Sequence, residues 1–117
     1  MRSFVTRSLV VLWAAAVPAH AQEPPEFARC AACHARNSTS PTVGPDLAGV
    51  FGRKAASRND FRYSPALTRS GVMWTERNLD AFLKAPDDFV PGTRMPFEGM
   101  PSAADRAAVI RYLKSLK

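Results

Sequence analysis

The chain has 117 residues, the length of one small domain. Its formal charge is +6, but basic and acidic residues are interspersed. The absence of a basic run interleaved with aromatics argues against a nucleic-acid binder. There is no internal repeat and no low-complexity segment.

The N-terminus reads as a secretory signal peptide. Arg2 and Arg7 supply the positive start, Leu9 to Val17 an apolar run that includes Trp13, and Ala19-His20-Ala21 an A-x-A cleavage signal. Cleavage after Ala21 leaves residues 22–117 as the mature domain, with 14 basic and 10 acidic side chains. The alternative is an uncleaved membrane anchor, but the apolar run falls short of the ~20 residues a spanning helix needs. Export predicts a periplasmic location. A domain of this size has little surface to bury and usually needs a staple of some kind.

The next stretch offers one. Pro25 suits the first turn of a helix predicted over about Pro25 to Ala35, with Phe27, Ala31 and His34 on one face. Within it lies Cys30-Ala31-Ala32-Cys33-His34, and C-x-x-C-H is the attachment pattern of c-type haem. On a helix Cys30 and Cys33 are one turn apart and face the same way, so both sulfurs can form thioethers to one porphyrin. His34, four residues after Cys30, can reach the iron from one side. Zinc is disfavoured, because a structural site needs four ligands and the mature chain has two cysteines and one histidine. A thioredoxin-like pair lacks its βαβ context. A disulfide over so short a loop adds little. The haem then becomes the central piece of the core, and the haem-free chain is expected to be largely unfolded.

Asn37 to Thr42 reads as a polar loop. In Val43-Gly44-Pro45-Asp46-Leu47, Pro45 is either an ordinary turn proline or the owner of a carbonyl that accepts the His34 N–H and sets its tautomer. Gly52 suggests close backbone approach. Arg53 is either a surface charge or a partner for a buried haem propionate.

Ser64, Pro65 and Gly71 are the N-cap, first residue and terminator of a short helix. Trp74 follows, as core packing or as an indole N–H facing a propionate. Thr75 caps a helix running to about Ala85, with Leu79, Phe82 and Leu83 as its apolar stripe. Pro86 ends it, and Asp87 to Val90 can add a turn. Pro91 to Phe97 is an extended loop. Ser102 to Lys117 is the clearest helix, with Ser102 and Asp105 resembling a capping box. Val109, Ile110, Leu113 and Leu116 form its buried stripe. The elements predict an all-α domain of short helices wrapped around one haem.

An iron held by His34 needs a sixth ligand or an open position. Of Met73, Met95 and Met100, Met95 sits in the constrained loop, while Met73 and Met100 read as core filler.

Several pieces in order resemble a class I c-type cytochrome of the short mitochondrial and bacterial type. They are CAACH (30–34), VGPDLAGVFGRKA (43–55), Tyr63, Trp74, FVPGTRMPF (89–97) and DRAAVIRYLK (105–114). The match runs from about Phe27 to Leu116. The resemblance implies the class I fold, haem c bound to Cys30 and Cys33, and His34 and Met95 as axial ligands. It also implies that Pro45 supports His34, and that Arg53, Tyr63, Trp74 and Thr93 hold the propionates. Tyr112 and Leu113 fall where the last helix meets the first. Phe27 stands three residues before Cys30 where such proteins usually have an aromatic at four, so a looser or repacked helix crossing is expected. Phe82 and Leu67 stand where relatives often have polar residues, which implies a more apolar pocket.

The expected function is a monomeric periplasmic electron carrier, not an enzyme. It would dock transiently, at an exposed haem edge, on an oxidase, reductase or dehydrogenase. It would bind no nucleic acid and have no stable membrane insertion. The alternatives are a haem subunit of a periplasmic dehydrogenase complex, or an enzyme or gas sensor with a labile sixth ligand.

Overall fold

A computed structural model describes residues 8–14, 22–37 and 43–117. Residues 8–14 have no regular structure, and Leu9 and Trp13 are each 90% exposed, so this part of the apolar run adds nothing to the core. The A-x-A signal at Ala19 to Ala21 lies outside the described residues, as do residues 38–42 of the polar loop. Among the described residues no helix is long and apolar enough to cross a membrane.

The first element is a 3-10 turn, Pro25–Phe27, with proline at its start. It runs into α1, Ala28–Ala31. The expected helix over 25–35 is therefore shorter, although the His34 N–H still bonds the Cys30 carbonyl at 2.8 Å and completes one more turn. Then come α2 (Pro65–Ser70), α3 (Glu76–Lys84), α4 (Pro86–Phe89) and α5 (Ala103–Ser115).

The caps explain where the helices stand. Ser64, Thr75 and Ser102 each accept a backbone N–H at the third position of their helix, from Leu67, Asn78 and Asp105. Gly71 ends α2 in the left-handed region, φ 65°. Pro86 cannot continue α3, but its ring opens α4.

No strand occurs among the described residues. One antiparallel bridge pairs Lys54 with Met73. Around it, Gly52 N–H bonds the Trp74 carbonyl at 2.8 Å, Trp74 N–H the Arg53 carbonyl at 2.8 Å, and Ala55 N–H the Val72 carbonyl at 2.7 Å. These bonds hold Arg53 and Trp74 side by side. Gly52 is required here for its φ of +83°, not for a close approach, since a Cβ there would meet nothing within 4 Å. Met73 is 45% exposed, so it is not core filler. Its backbone is spent on the bridge and its side chain is left outside. Met100 is buried as expected.

α3 and α5 pack together, and α5 also meets the first turn. Phe27 is fully buried, and its ring stands edge-on to Tyr112 with centroids 4.8 Å apart. The crossing is therefore tight, not loose. Glu23 adds to it by accepting from the Tyr112 hydroxyl at 3.3 Å and pairing with Arg36 at 2.6 Å.

Among the described residues, Arg106 is the one buried charge, and hydropathy patterning did not find it. It is 6% exposed. Its Nε donates to Asp80 of α3 at 2.8 Å, and Nη1 donates to the carbonyls of Met100 and Pro101 at 2.7 and 2.9 Å. One guanidinium thus ties α5 to α3 and to the strap before α5. Removing it takes away the buried Met100 carbonyl's partner and the link from α5 to the half-exposed Asp80. Arg106→Ala should lower unfolding free energy by about 2–3 kcal/mol, and Arg106→Lys by less, as measured by denaturant unfolding of the holoprotein.

Candidate functional site

A cavity of about 430 Å³ opens in the middle of the helices. Its walls are mainly apolar: Leu67 of α2, Leu79, Phe82 and Leu83 of α3, and Val109 and Leu113 of α5 all line it, together with Phe27 and Trp74. Cys30, Cys33, His34, Pro45, Arg53, Tyr63, Trp74, Thr93 and Met95 line it too. Every site residue expected from the sequence therefore meets at one cavity. Phe82 and Leu67 are on its wall, and at those two positions they bring no hydroxyl or amide group.

His34 is the most closely specified of these. Its Nδ1 lies 2.7 Å from the Pro45 carbonyl. A carbonyl only accepts, so Nδ1 carries the proton and Nε2 keeps its lone pair. Burial pushes the imidazole below its ordinary pKa, against the opposing pull of the Pro45 carbonyl and the Asp46 carboxylate. The neutral ring is the form that can ligate a metal. Burial likewise pushes the Cys30 thiol up, while neighbouring Arg29 acts to lower it. The folded pocket therefore disfavours a Cys30 thiolate.

The loop that carries Pro45 is tied down at several points. Gly44 N–H bonds the Cys33 carbonyl at 2.7 Å, and Leu47 N–H bonds the Ala35 carbonyl at 2.9 Å. The Asp46 carboxylate accepts from Asn37 N–H at 2.9 Å and from Ala48 N–H at 2.7 Å. Gly44 itself packs against the imidazole. A Cβ there would stand 2.7 Å from His34 Cε1 and 2.8 Å from Nδ1. Sequence reading missed this role because Gly-Pro is already a turn signal. The usable hint was that Gly44 precedes the proline whose carbonyl was expected to hold the ring.

The polar groups at the cavity are less tightly assigned. Arg53 Nη1 donates to the Ala48 carbonyl at 3.2 Å, and its other nitrogens reach Ser57 Oγ. Tyr63 stacks edge-on with Phe61 at 5.0 Å. Trp74 is buried against Phe82, centroids 5.0 Å apart. Thr93 Oγ1 faces the Met95 N–H at 3.5 Å, which is long for such a bond. These four side chains bring N–H and O–H donors to one cavity, a set suited to carboxylates.

The fit to a covalently held porphyrin rests on these observations. Two cysteines one turn apart, a neutral imidazole with its free nitrogen unblocked by the Pro45 bond, a thioether and several donors share one apolar cavity. Among the described residues, no group of three or more His, Cys, Asp or Glu side chains could hold a metal ion alone.

Comparison with known proteins agrees. The cytochrome c family model matches residues 26–117. Cytochrome c2 iso-2 of Magnetospirillum fulvum is 46% identical over 96 residues, covering 82% of this chain and all of that protein. Cytochrome c of Tetrahymena pyriformis is 49% identical over 88 residues, covering 75% of this chain and 79% of the other. The solved structure of cytochrome cH from Methylobacterium extorquens superposes with a TM-score of 0.71 at 40% identity, over 76% of this chain and 90% of that one.

The Gly44 contact is testable on its own. Gly44→Ala must push back the His34 ring, an overpacking that costs about 2 kcal/mol. Gly52→Ala meets open space and costs about 1 kcal/mol of backbone strain. Denaturant unfolding of the two variants should rank them in that order.

Proposed function

The chain belongs to the cytochrome c family, and we propose that it is a periplasmic single-haem electron carrier in which His34 and Met95 are the axial ligands. It carries covalently attached haem c and transfers electrons; it is not an enzyme. The bound haem supplies a one-electron redox centre. The observation that carries the ligand reading is that Cys30, Cys33, His34 and Met95 line one apolar cavity.

Each residue then has a task. Cys30 and Cys33 form the thioethers. Pro45 keeps the His34 proton on Nδ1, which would leave Nε2 as the neutral donor to the haem iron. As an axial ligand, the Met95 thioether would favour the reduced iron. With both positions filled by the protein, a substrate has no place to bind, which suits carriage over catalysis. Leu67, Phe82 and the other apolar side chains of the wall exclude water. Arg53, Tyr63, Trp74 and Thr93 offer donors to the propionates.

Residues 1–21 serve as a signal peptide cut after Ala21. The protein purified from periplasm should therefore have the mass of residues 22–117 plus one haem. Its spectrum should be low-spin and six-coordinate in both oxidation states, with a weak methionine-to-iron charge-transfer band when oxidised and no reaction with CO. Met95→Ala should abolish that band and admit CO. A high-spin spectrum or CO binding by the parent protein would defeat the carrier reading.

Redox partners bind such a carrier transiently. The docking face we propose is the cavity mouth. Lys54, Arg62 and Arg94 are exposed there, and Arg58 beside them is held by Asp60 at 2.7 Å. The excess of basic over acidic charge at the mouth steers an acidic partner and is screened by salt. The association rate with such a partner should fall as ionic strength rises. Lys54→Glu combined with Arg62→Glu should lower it about tenfold at low salt, measured by stopped flow.

A further inference from the structure

Met95 lies on a segment without regular structure, so its side chain is held only as well as that backbone is fastened. The local bonds are modest. Thr93 N–H bonds the Val90 carbonyl at 3.0 Å, and Phe97 N–H bonds the Met95 carbonyl at 2.9 Å. The Thr93 hydroxyl is a long 3.5 Å from the Met95 N–H. Two arginines supply ties to other parts of the chain. Arg29, beside Cys30 on α1, lays its guanidinium over the Phe97 ring, 4.7 Å from the centroid. Arg94 Nη2 donates to the Tyr63 carbonyl at 3.1 Å, just ahead of α2. One tie is two residues after Met95 and the other is one residue before it.

We infer that Arg29 and Arg94 are positioning residues that brace Met95 from both sides, and so govern how easily an outside ligand displaces it. The inference rests on the reading of Met95 as an axial ligand. Its physical basis is geometric. A shift of the Met95 backbone away from the cavity moves residues 94–97, and that movement breaks the Arg29–Phe97 contact, the Arg94–Tyr63 bond, or both. Arg29 also stands on the segment that bears Cys30, Cys33 and His34. Its contact therefore joins the Met95 segment to the His34 segment across the chain. Both arginines are exposed, so each tie is weak alone, and the two together matter because they act on one motion.

The test is imidazole titration of the oxidised holoprotein, followed optically, with amide exchange at Phe97 as a second readout. Arg29→Gln and Arg94→Gln should each raise imidazole affinity about two- to fivefold, and the pair about tenfold. Arg29→Lys keeps a cation over the ring and should stay near the parent protein. Phe97 amide exchange should quicken in Arg29→Gln, while the denaturation midpoint stays nearly unchanged. Unchanged imidazole affinity in Arg29→Gln would overturn the brace. So would an Arg29→Lys variant as weakened as Arg29→Gln, or a fall in midpoint large enough to explain the gain. Met95→Ala separates the two readings. If it binds imidazole more tightly while Arg29→Gln does not, the ligand assignment stands and the brace falls. If it binds no more tightly than the parent, the ligand assignment falls and takes the brace with it.

Discussion

The core of this domain and the wall of its cavity are built largely from the same side chains. Phe27, Trp74, Leu79, Phe82, Leu83, Val109 and Leu113 are buried, and each also lines the cavity. A short chain has too little interior to close over an empty space of this kind, because small domains bury a small share of their surface. The prosthetic group is thus part of the apolar packing as well as the redox centre. α1, α2, α3 and α5 each present residues to the cavity, and so do the loops that carry Pro45, Arg53 and Met95.

This arrangement sets a problem for the loops. The two proposed iron ligands sit outside the helices: His34 follows α1 by a turn closed with one helical bond, and Met95 lies on irregular backbone. The chain meets the problem differently on the two sides. The His34 side is held by many strong local bonds: the Pro45 carbonyl on Nδ1, the Asp46 carboxylate across the loop, and two backbone bonds back to Cys33 and Ala35. Gly44 fits under the imidazole because it has no side chain. The Met95 side has fewer bonds and relies on contacts from elsewhere in the chain. That contrast makes His34 the fixed side and Met95 the adjustable one.

The helices were legible because their signals are local. Ser64-Pro65 with Gly71, Thr75 with Pro86, and Ser102 with Asp105 each mark an end through one residue's hydrogen bond or ring. The apolar stripe of α3 is a matter of spacing alone. The candidate site was legible for the same reason: C-x-x-C-H is five consecutive residues, and the reach of its side chains follows from helix geometry. Where local signals were weak the expectations slipped. The first helix proved shorter, since after Ala31 the chain turns to bring His34 beneath Pro45. Met73 was expected inside and lies outside, because its backbone pairing with Lys54 decides its position, and no periodicity records such a pairing.

The sequence by itself determined the helical class, the caps, the attachment motif and the identity of the constrained methionine loop, all through interactions between residues close in the chain. Only the tertiary structure decided which distant groups meet. Arg106 reaches Asp80 and the Met100 carbonyl, Phe27 stacks on Tyr112, Gly44 lies under His34, and Arg29 covers Phe97. An arginine, a glycine or a phenylalanine looks the same in sequence whether it is exposed or holds two segments together. The difference arises from packing, which depends on the whole chain folding around one cavity.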